Sequence, residues 1–216
     1  MSYKAMENYL TWCNSTFDYQ SSDRFIQTAS ICFDASVRQI LAPLLCGGTI
    51  YPVSKDVKSD AKELFRFIQK NDISVWSSVP SLWSVVLQAI ENSNYKELPK
   101  LRIVKVGGEV LNPSLVYRTQ KILKNTKIVN LYGPTETTIN ATYHVIDKPL
   151  ENDVKVIPIG NPSSNLQCSI HNNSGEIVSF GDIGELWVSG IGLTSGYLNS
   201  SELNSSKFVI DEFSTR

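Results

Sequence analysis

Between about residues 23 and 145, the order of apolar and polar positions predicts strands that alternate with helices. Apolar residues recur at helical spacing from Ala61 to Ile68, a segment preceded by the candidate N-caps Ser59 and Asp60. Strands that alternate with helices of this length indicate βαβ units and a mainly parallel sheet. Short apolar runs typical of buried strands occur at RFIQTAS, TIYPV, ISVWSS, LRIVKV and KIVNLY.

Three further helices are predicted between these strands. SVRQILAPLLCGG reads as a helix that ends at Gly47-Gly48, because glycine commonly follows the last helical turn. A second apolar stripe runs from Leu82 to Ile90. The third helix begins with Asn112 as cap and Pro113 at the first helical position. The fold class predicted from this pattern is α/β, with helices flanking the sheet.

The pattern changes after about residue 150. LQCSI alternates apolar and polar residues, HNNSG is rich in turn formers, and ELWVSG reads as another strand. We therefore expect an α/β portion at residues 1–150 and a smaller antiparallel β subdomain at 151–216, with the boundary near 148–156. The chain opens in a helical pattern and ends at DEFSTR without a stop signal, so we expect both ends to continue in a longer protein.

Composition narrows the class of protein. A chain of 216 residues with 42% hydrophobic and 19% charged residues is typical of a soluble globular protein. A net charge of −1 without a basic stripe argues against a nucleic-acid partner. No signal peptide or long apolar segment is present, which argues against a membrane partner. Four cysteines without a C-x-x-C pair, and only two histidines, argue against zinc and favour the reducing cytoplasm.

Four short peptides are richer in functional groups than a plain turn requires. Each of them follows a predicted strand directly. In an open parallel sheet, ligands bind beyond the carboxyl ends of the strands, so we expect the four peptides to form one site along one edge. They are FDAS (33–36), WSSVPS (76–81), GGE (107–109) and YGPTETT (132–138).

Gly107-Gly108, Tyr132 and Asp34 each allow a functional and a structural interpretation. Gly107-Gly108 permits close approach of a flat or anionic ligand, or simply makes a tight turn. Tyr132 can stack on a nucleobase, or pack in the core as an ordinary aromatic. Asp34 can bind a substrate ammonium group, or pair with Arg38 four residues later on the following helix.

The rest of the fourth peptide carries oxygen donors and acceptors. The hydroxyls of Thr135 and Thr138 can donate to phosphate, and Glu136 can bind Mg²⁺, which prefers oxygen ligands and substrate phosphates. Helix capping explains these residues only in part, because Thr135 and Thr138 do not make a capping box. The chain contains no Walker P-loop, G-x-S-x-G elbow or H-E-x-x-H motif.

These peptides carry a resemblance to a known family. NLYGPTETTINAT resembles the Y-G-P-T-E signature of adenylate-forming enzymes, in particular amino-acid adenylation domains of nonribosomal peptide synthetases. ICFDASVRQILAPLLCGGTIYPV is similar to the family's F-D-x-S segment. IPIGNP and GELWVSGIGLTSGYLN match later segments in the same order, so the resemblance covers nearly the whole chain.

The resemblance implies that a carboxylic acid, usually an amino acid, is activated with ATP and Mg²⁺ to an acyl-adenylate. The acyl group then passes to the phosphopantetheine thiol of a carrier protein. In matching positions, Thr135 would contact the α-phosphate, Glu136 would hold Mg²⁺ and Asp34 would bind the substrate ammonium. The nucleotide would lie on Tyr132, near Gly107, Gly108, Glu109, Asn130 and Gly133. The substrate side-chain pocket would be lined by Ala35, Arg38, Ser77, Lys105, Gly107, Leu131, Ile139 and Asn140.

Several family features do not occur in these 216 residues: the phosphate loop with its lysine, the T-G-D segment, and the C-terminal subdomain with its catalytic lysine. Thr194-Ser195 stands where the family usually has Ala-Arg. We therefore expect the chain to be the central part of the enzyme and to be inactive alone. Arg38 and Lys105 are unusual in such a pocket. They would meet an acidic or otherwise polar substrate side chain, or else extend to solvent.

Two other functions remain open at this stage. The chain could be a non-catalytic homologue or interaction module, although a copy without activity has no physical reason to keep Glu136. It could also be a D-alanyl or acyl-CoA type ligase of the same superfamily. An acid without an amine would leave Asp34 without its proposed ligand.

Overall fold

The computed structural model describes residues 1–93, 98–151 and 153–209. Its α-helices are α1 (Tyr3–Thr16), α2 (Ala35–Cys46), α3 (Lys55–Ser59), α4 (Ala61–Lys70), α5 (Pro80–Glu91), α6 (Pro113–Ile122) and α7 (Ser201–Lys207). Its strands are β1 (Arg24–Gln27), β2 (Thr49–Pro52), β3 (Val75–Ser78), β4 (Ile103–Gly107), β5 (Lys127–Tyr132), β6 (Thr142–Ile146), β7 (Asn161–Pro162), β8 (Leu166–His171) and β9 (Glu185–Gly190).

The strands from β1 to β7 form one sheet in the order β2-β1-β3-β4-β5-β6-β7. Strands β1 to β5 run parallel to their neighbours, whereas β6 and β7 are antiparallel additions at one side. The predicted α/β class with a mainly parallel sheet is therefore confirmed. The five predicted strands are all present, although β1 ends at Gln27, earlier than the run RFIQTAS indicated.

The predicted helix boundaries have the expected chemistry. The Asp60 carboxylate accepts hydrogen bonds from the backbone N–H groups of Lys62 and Glu63, at 2.8 and 3.2 Å, so Asp60 is the N-cap of α4. Asn112 caps α6 in the same way, with Pro113 as its first residue. These side chains satisfy N–H groups that the first helical turn leaves without a partner.

Helices cover both faces of the large sheet. One apolar cluster joins α4, α5 and α6 to strand residues such as Trp76, Val104 and Ile128. The other joins α1 and α2 to residues such as Val75 and Val129. Because side chains alternate along a strand, β1, β3, β4 and β5 each contribute to both clusters, which explains why the central strands read as continuous apolar runs.

The later part of the chain contributes to two sheets. β7 pairs with β6 in the large sheet. β8 and β9 form a separate antiparallel pair, in which Leu166 lies opposite Gly190 and His171 lies opposite Glu185. The predicted antiparallel unit is thus present. Among the helices of the described ranges, none has both the length and the apolar content needed to cross a bilayer.

Candidate active site

The carboxyl ends of β1, β3, β4 and β5 lie next to one another, because these strands are consecutive and parallel in the sheet. The Thr135 hydroxyl donates to the Asp34 carboxylate at 2.7 Å, which joins the first peptide to the fourth. The backbone N–H and the hydroxyl of Ser81 donate to the Glu109 carboxylate at 3.0 and 2.7 Å, which joins the second to the third. The four peptides therefore share one edge of the sheet.

The fourth peptide is a compact loop with a strained end. Gly133 is required where the loop folds back, since a Cβ there would lie 2.4 Å from the backbone nitrogen of Ala141. A 3-10 turn spans Thr135–Thr137. Thr138 and Ile139 then adopt positive φ values of 59° and 75°, although both are β-branched. Such conformations cost about 1–3 kcal/mol each and concentrate at ligand-binding sites.

Exposed apolar side chains surround this edge, although apolar groups are normally buried. Tyr132 is 41% exposed, so the alternative interpretation as a core aromatic is wrong. The sequence pattern pointed to Tyr132, and Phe33 and Val79 lie within the predicted peptides without an assigned role, whereas Ile31 and Val110 were not predicted. The exposed apolar rim consists of Ile31, Phe33, Val79, Val110 and Tyr132.

Gly107, the last residue of β4, and Gly108, which follows it, are both required by the local backbone geometry. A Cβ on Gly107 would lie 2.7 Å from the carbonyl oxygen of Leu131 on β5, so close packing of the two strands requires glycine. Gly108 has a φ of 85°, which favours glycine without any ligand. For this pair, the geometry supports the tight-turn interpretation.

Two residues of the expected nucleotide set make internal contacts. Asn130 is buried, and its side-chain amide donates to the Pro158 carbonyl at 2.8 Å. The carboxylate of Glu109 accepts both hydrogen bonds from Ser81 at the N-terminus of α5, where negative charge is favoured. These contacts attach the IPIGNP segment and α5 to the edge.

The alternative ion pair between Asp34 and Arg38 is not formed. Arg38 instead donates to the Tyr9 hydroxyl at 2.9 Å and to the Asn140 side-chain oxygen. The Tyr9 hydroxyl donates to the same Asn140 oxygen at 2.8 Å. Asp34 is half-buried and receives the Thr135 hydroxyl. Its carboxylate is therefore not bound to Arg38 and remains near the strand ends.

Lys105 lies deeper under the same face. Its ammonium donates to the Tyr19 hydroxyl and sits 4.8 Å from the centre of the Phe17 ring. Burial lowers the pKa of Lys105 from 10.5 to about 8. Arg38 is 6% and Lys105 1% exposed, so the alternative in which they extend to solvent is wrong.

The expected pocket residues gather on the face covered by α1 and α2. Ser77, Lys105 and Val129 are partners in register on adjacent parallel strands, so their side chains point the same way. Strand alternation puts Asn130 and Tyr132 on the opposite face. The rest of the pocket set is Ala35 at the start of α2, Gly107 and Leu131 as register partners, and the buried Ile139 and Asn140 after the loop.

Glu136 contacts the segment that follows β9. Its carboxylate accepts a hydrogen bond from the Tyr197 hydroxyl, and its backbone oxygen accepts from the Thr194 N–H at 2.8 Å. In the described residues, no group of three or more His, Cys, Asp or Glu side chains converges as a metal cluster. A single carboxylate fits Mg²⁺, which keeps several waters and takes further ligands from substrate phosphates.

Sequence comparison shows which known proteins this chain resembles. The family model for the AMP-binding enzyme matches residues 1–198. Tyrocidine synthase 3 of Brevibacillus parabrevis is 35% identical over 216 residues, which are 99% of this chain and 3% of that protein. The D-alanine–D-alanyl carrier protein ligase of Bacillus cereus (strain G9842) is 31% identical over 211 residues, which are 97% of this chain and 42% of that protein.

Solved structures show the same fold. The nonribosomal peptide synthetase FmoA3 superposes with a TM-score of 0.89 at 26% identity, over 97% of this chain and 22% of that one. The Vibrio cholerae adenylation domain AlmE, solved with glycyl-adenosine-5'-phosphate, gives 0.84 at 31% identity, over 98% of this chain and 40% of that one. The chain thus spans less than half the length of these relatives, and it belongs to the family of AMP-binding enzymes.

Proposed function

We propose that this chain is the central part of an ATP-dependent ligase that activates an amino acid as aminoacyl-AMP and loads it onto a carrier-protein thiol. The observation that carries the proposal is the hydrogen bond from Thr135 to Asp34. It joins a hydroxyl suited to phosphate and a carboxylate suited to an ammonium at the sheet edge where ligands bind in α/β folds. The relatives named above support it, since AlmE was solved with an aminoacyl-adenylate.

In this proposal the residues mainly position the reactants. Asp34 binds the α-ammonium of the amino acid, and the exposed ring of Tyr132 supports the adenine. The substrate carboxylate attacks the α-phosphorus of ATP and pyrophosphate leaves. Thr135 donates to the α-phosphate oxygen. Bound at Glu136, Mg²⁺ would neutralise phosphate charge. Positioning and charge stabilisation are the main contributions that such a reaction needs.

The second step transfers the acyl group to the carrier. The phosphopantetheine thiolate of the carrier attacks the acyl carbon of the adenylate, and AMP leaves. We place both steps in the cytoplasm, which suits the free Cys13, Cys32, Cys46 and Cys168. The partners in this proposal are the amino acid and the carrier protein, with no nucleic acid and no membrane. The division into an α/β portion at 1–150 and a β-rich subdomain at 151–216 belongs to the same proposal.

The test is amino-acid-dependent exchange between ATP and pyrophosphate, measured on the full-length protein that contains this chain. We expect exchange with at least one amino acid, and a loss of about 10²- to 10³-fold in Thr135→Ala and Glu136→Ala. Lys62→Met, an exposed position on α4, is the matched control and should keep full activity. The isolated 216-residue chain should show no exchange, because it contains neither the phosphate loop nor the catalytic lysine.

The same assay separates the rival functions. A full-length protein that exchanges with no carboxylic acid would be a non-catalytic homologue or interaction module. Activation of an acid without an amine, unaffected by Asp34→Ala, would indicate an acyl-CoA type ligase. Exchange restricted to D-alanine would place the protein with the D-alanyl carrier protein ligases.

A further inference from the structure

Two buried cations lie under the α1 and α2 face without an acidic partner. Arg38 and Lys105 are 6% and 1% exposed. In the described part of the chain, neither forms an ion pair with a carboxylate. A buried charge of this kind is costly unless it is paired.

The groups that bind the two cations directly are neutral, although the Asp34 carboxylate is near enough to act on Arg38 electrostatically without bonding to it. Arg38 donates to Tyr9 and Asn140, and Lys105 donates to Tyr19. Burial raises the pKa of the nearby Tyr9 hydroxyl and Cys13 thiol, so neither of these two groups is an anion at neutral pH. Tyr9, which contacts Arg38, and Phe17 and Tyr19, which contact Lys105, belong to the same apolar cluster, so the two positive charges lie on the same side of the sheet.

One N–H donor of Arg38 makes no hydrogen bond to any described residue. The Nε atom of Arg38 is buried and has no hydrogen-bond partner among the described residues. A guanidinium presents several N–H groups in a plane that matches a carboxylate, and it does not lose its proton. One anionic group on a ligand would both accept a hydrogen bond from Arg38 Nε and balance the two buried positive charges.

The position of Arg38 identifies the ligand that can supply this anion. Arg38 follows Asp34 by one turn of α2, and its partner Asn140 follows the loop that holds Thr135. An amino acid whose ammonium group binds Asp34 can therefore extend its side chain toward Arg38. We propose that the activated amino acid carries an anionic side chain, whose carboxylate binds Arg38 and is further stabilised by the charge of Lys105. This inference rests on the proposed function.

The experiment compares isosteric acids and amides in pyrophosphate exchange by the full-length protein. The substrates are aspartate with asparagine, glutamate with glutamine, and leucine as an apolar reference. We expect one acid to exceed its own amide at least tenfold in kcat/KM, because an amide can accept hydrogen bonds but cannot neutralise two cations.

The variants test the residues directly. Arg38→Met should reduce kcat/KM for the acid at least 100-fold and abolish the preference over the amide, while Arg38→Lys should restore part of it. Lys105→Met should cause a smaller loss, mainly in KM. Lys62→Met serves as the surface control. Unchanged ATP-dependent thermal stabilisation of the variants will show that they are folded.

The outcomes separate the two proposals. Exchange that is greatest with leucine or an amide would overturn the acidic-substrate inference and leave amino-acid activation standing. The acidic-substrate inference would also be overturned if Arg38→Met kept the preference for the acid while its thermal stabilisation by ATP showed that it is folded. Exchange with no amino acid at all would overturn the proposed function, and this inference with it.

Discussion

At the scale of single residues, the buried Lys105 lowers the stability of the fold. Its ammonium lies among Phe17 and Tyr19, which attract a cation through their rings but do not neutralise it. The lowering of its pKa from 10.5 to about 8 measures this cost, on the order of 3 kcal/mol near pH 7. Residues retained at such a cost are found preferentially at functional sites.

Replacing Lys105 with Met is therefore expected to stabilise the protein. The unfolded chain binds the Lys105 proton more tightly than the folded chain, so wild-type stability rises with pH between about 8 and 10.5. The gain from Lys105→Met should be greatest at or below pH 8 and should vanish toward pH 10.5. Thermal denaturation at a series of pH values measures it, at about 2–4 °C per kcal/mol.

The matched control is Lys127→Met, at an exposed position on the neighbouring strand β5, which should leave the midpoint unchanged at every pH. A Lys105→Met protein that is less stable than wild type at pH 7 would show that the contacts with Tyr19 and Phe17 outweigh the cost of burial.

At the scale of elements, the contact between the YGPTETT loop and the segment after β9 has a functional consequence. Tyr197 and Thr194 belong to the GELWVSGIGLTSGYLN segment, and both bind Glu136, through its carboxylate and its backbone oxygen. The proposed metal-binding side chain is thus held by a part of the chain that is distant in sequence. Tyr197 is therefore a positioning residue: it orients the Glu136 carboxylate and does not itself contact the reactants in the proposed mechanism.

Tyr197→Phe should weaken the use of Mg²⁺ while leaving the fold intact. Removing one hydroxyl frees the Glu136 carboxylate to adopt other rotamers, so we expect the Mg²⁺ concentration for half-maximal exchange to rise about 3- to 10-fold, in line with 1 kcal/mol for a hydrogen bond. Titration of Mg²⁺ in the exchange assay measures this change.

The control for this prediction is Tyr117→Phe, which removes a hydroxyl from α6 that binds the Glu151 carbonyl, away from Glu136. It should leave the Mg²⁺ dependence as it is. An equal loss at all Mg²⁺ concentrations in Tyr197→Phe would indicate a general disturbance of the loop and contradict a positioning role.

At the scale of the whole molecule, the two ends of the sheet serve different purposes. The carboxyl ends carry the site and its strain. The amino ends carry the buried carboxylate of Asp23, which accepts from Arg102, Ser74 and the Gln20 backbone at the start of β1, β3 and β4. Burial would raise the pKa of Asp23, but the bonds from Arg102, Gln20 and Ser74 lower it below 3.8 overall.

Breaking this network should destabilise the protein by about 1.5–3 kcal/mol, because hydrogen bonds to a buried charged group are lost while the partly exposed Arg102 keeps some hydration. We expect that loss in Asp23→Ala at pH 7. Since the pKa of Asp23 is lower in the folded state, its contribution is complete above pH 3.8 and is lost as the pH falls through the lowered value. Denaturation of wild type and variant at pH 7 and at acid pH measures both effects.

Asp72→Ala is the control, because the Asp72 carboxylate lies 3.9 Å from Arg24 and both side chains are largely exposed. Its effect should stay within about 1 kcal/mol. A loss in Asp23→Ala that also stays within about 1 kcal/mol would show that Asp23 contributes no more than a surface charge.

The sequence by itself determined the fold class and the order of elements, because these depend on local information. Apolar spacing distinguishes strands from helices, and caps such as Asp60 and Asn112 mark where helices begin. The predicted parallel arrangement of the strands also implied that the four peptides rich in functional groups meet at one edge of the sheet. The roles of Tyr132, Thr135 and Glu136 were predicted from the resemblance of the loop motif to a known family and not from periodicity.

Tertiary structure decided which alternative applied to each side chain. Whether Tyr132 is buried, whether Arg38 pairs with Asp34, and whether Lys105 reaches solvent all depend on residues distant in sequence: Tyr9, Tyr19 and Asn140. The exposed apolar rim and the contact of Tyr197 with Glu136 likewise arise from packing between separate segments. A pattern along the chain records only which face a residue points to, whereas the partners of a charge are set by what the fold brings to that face.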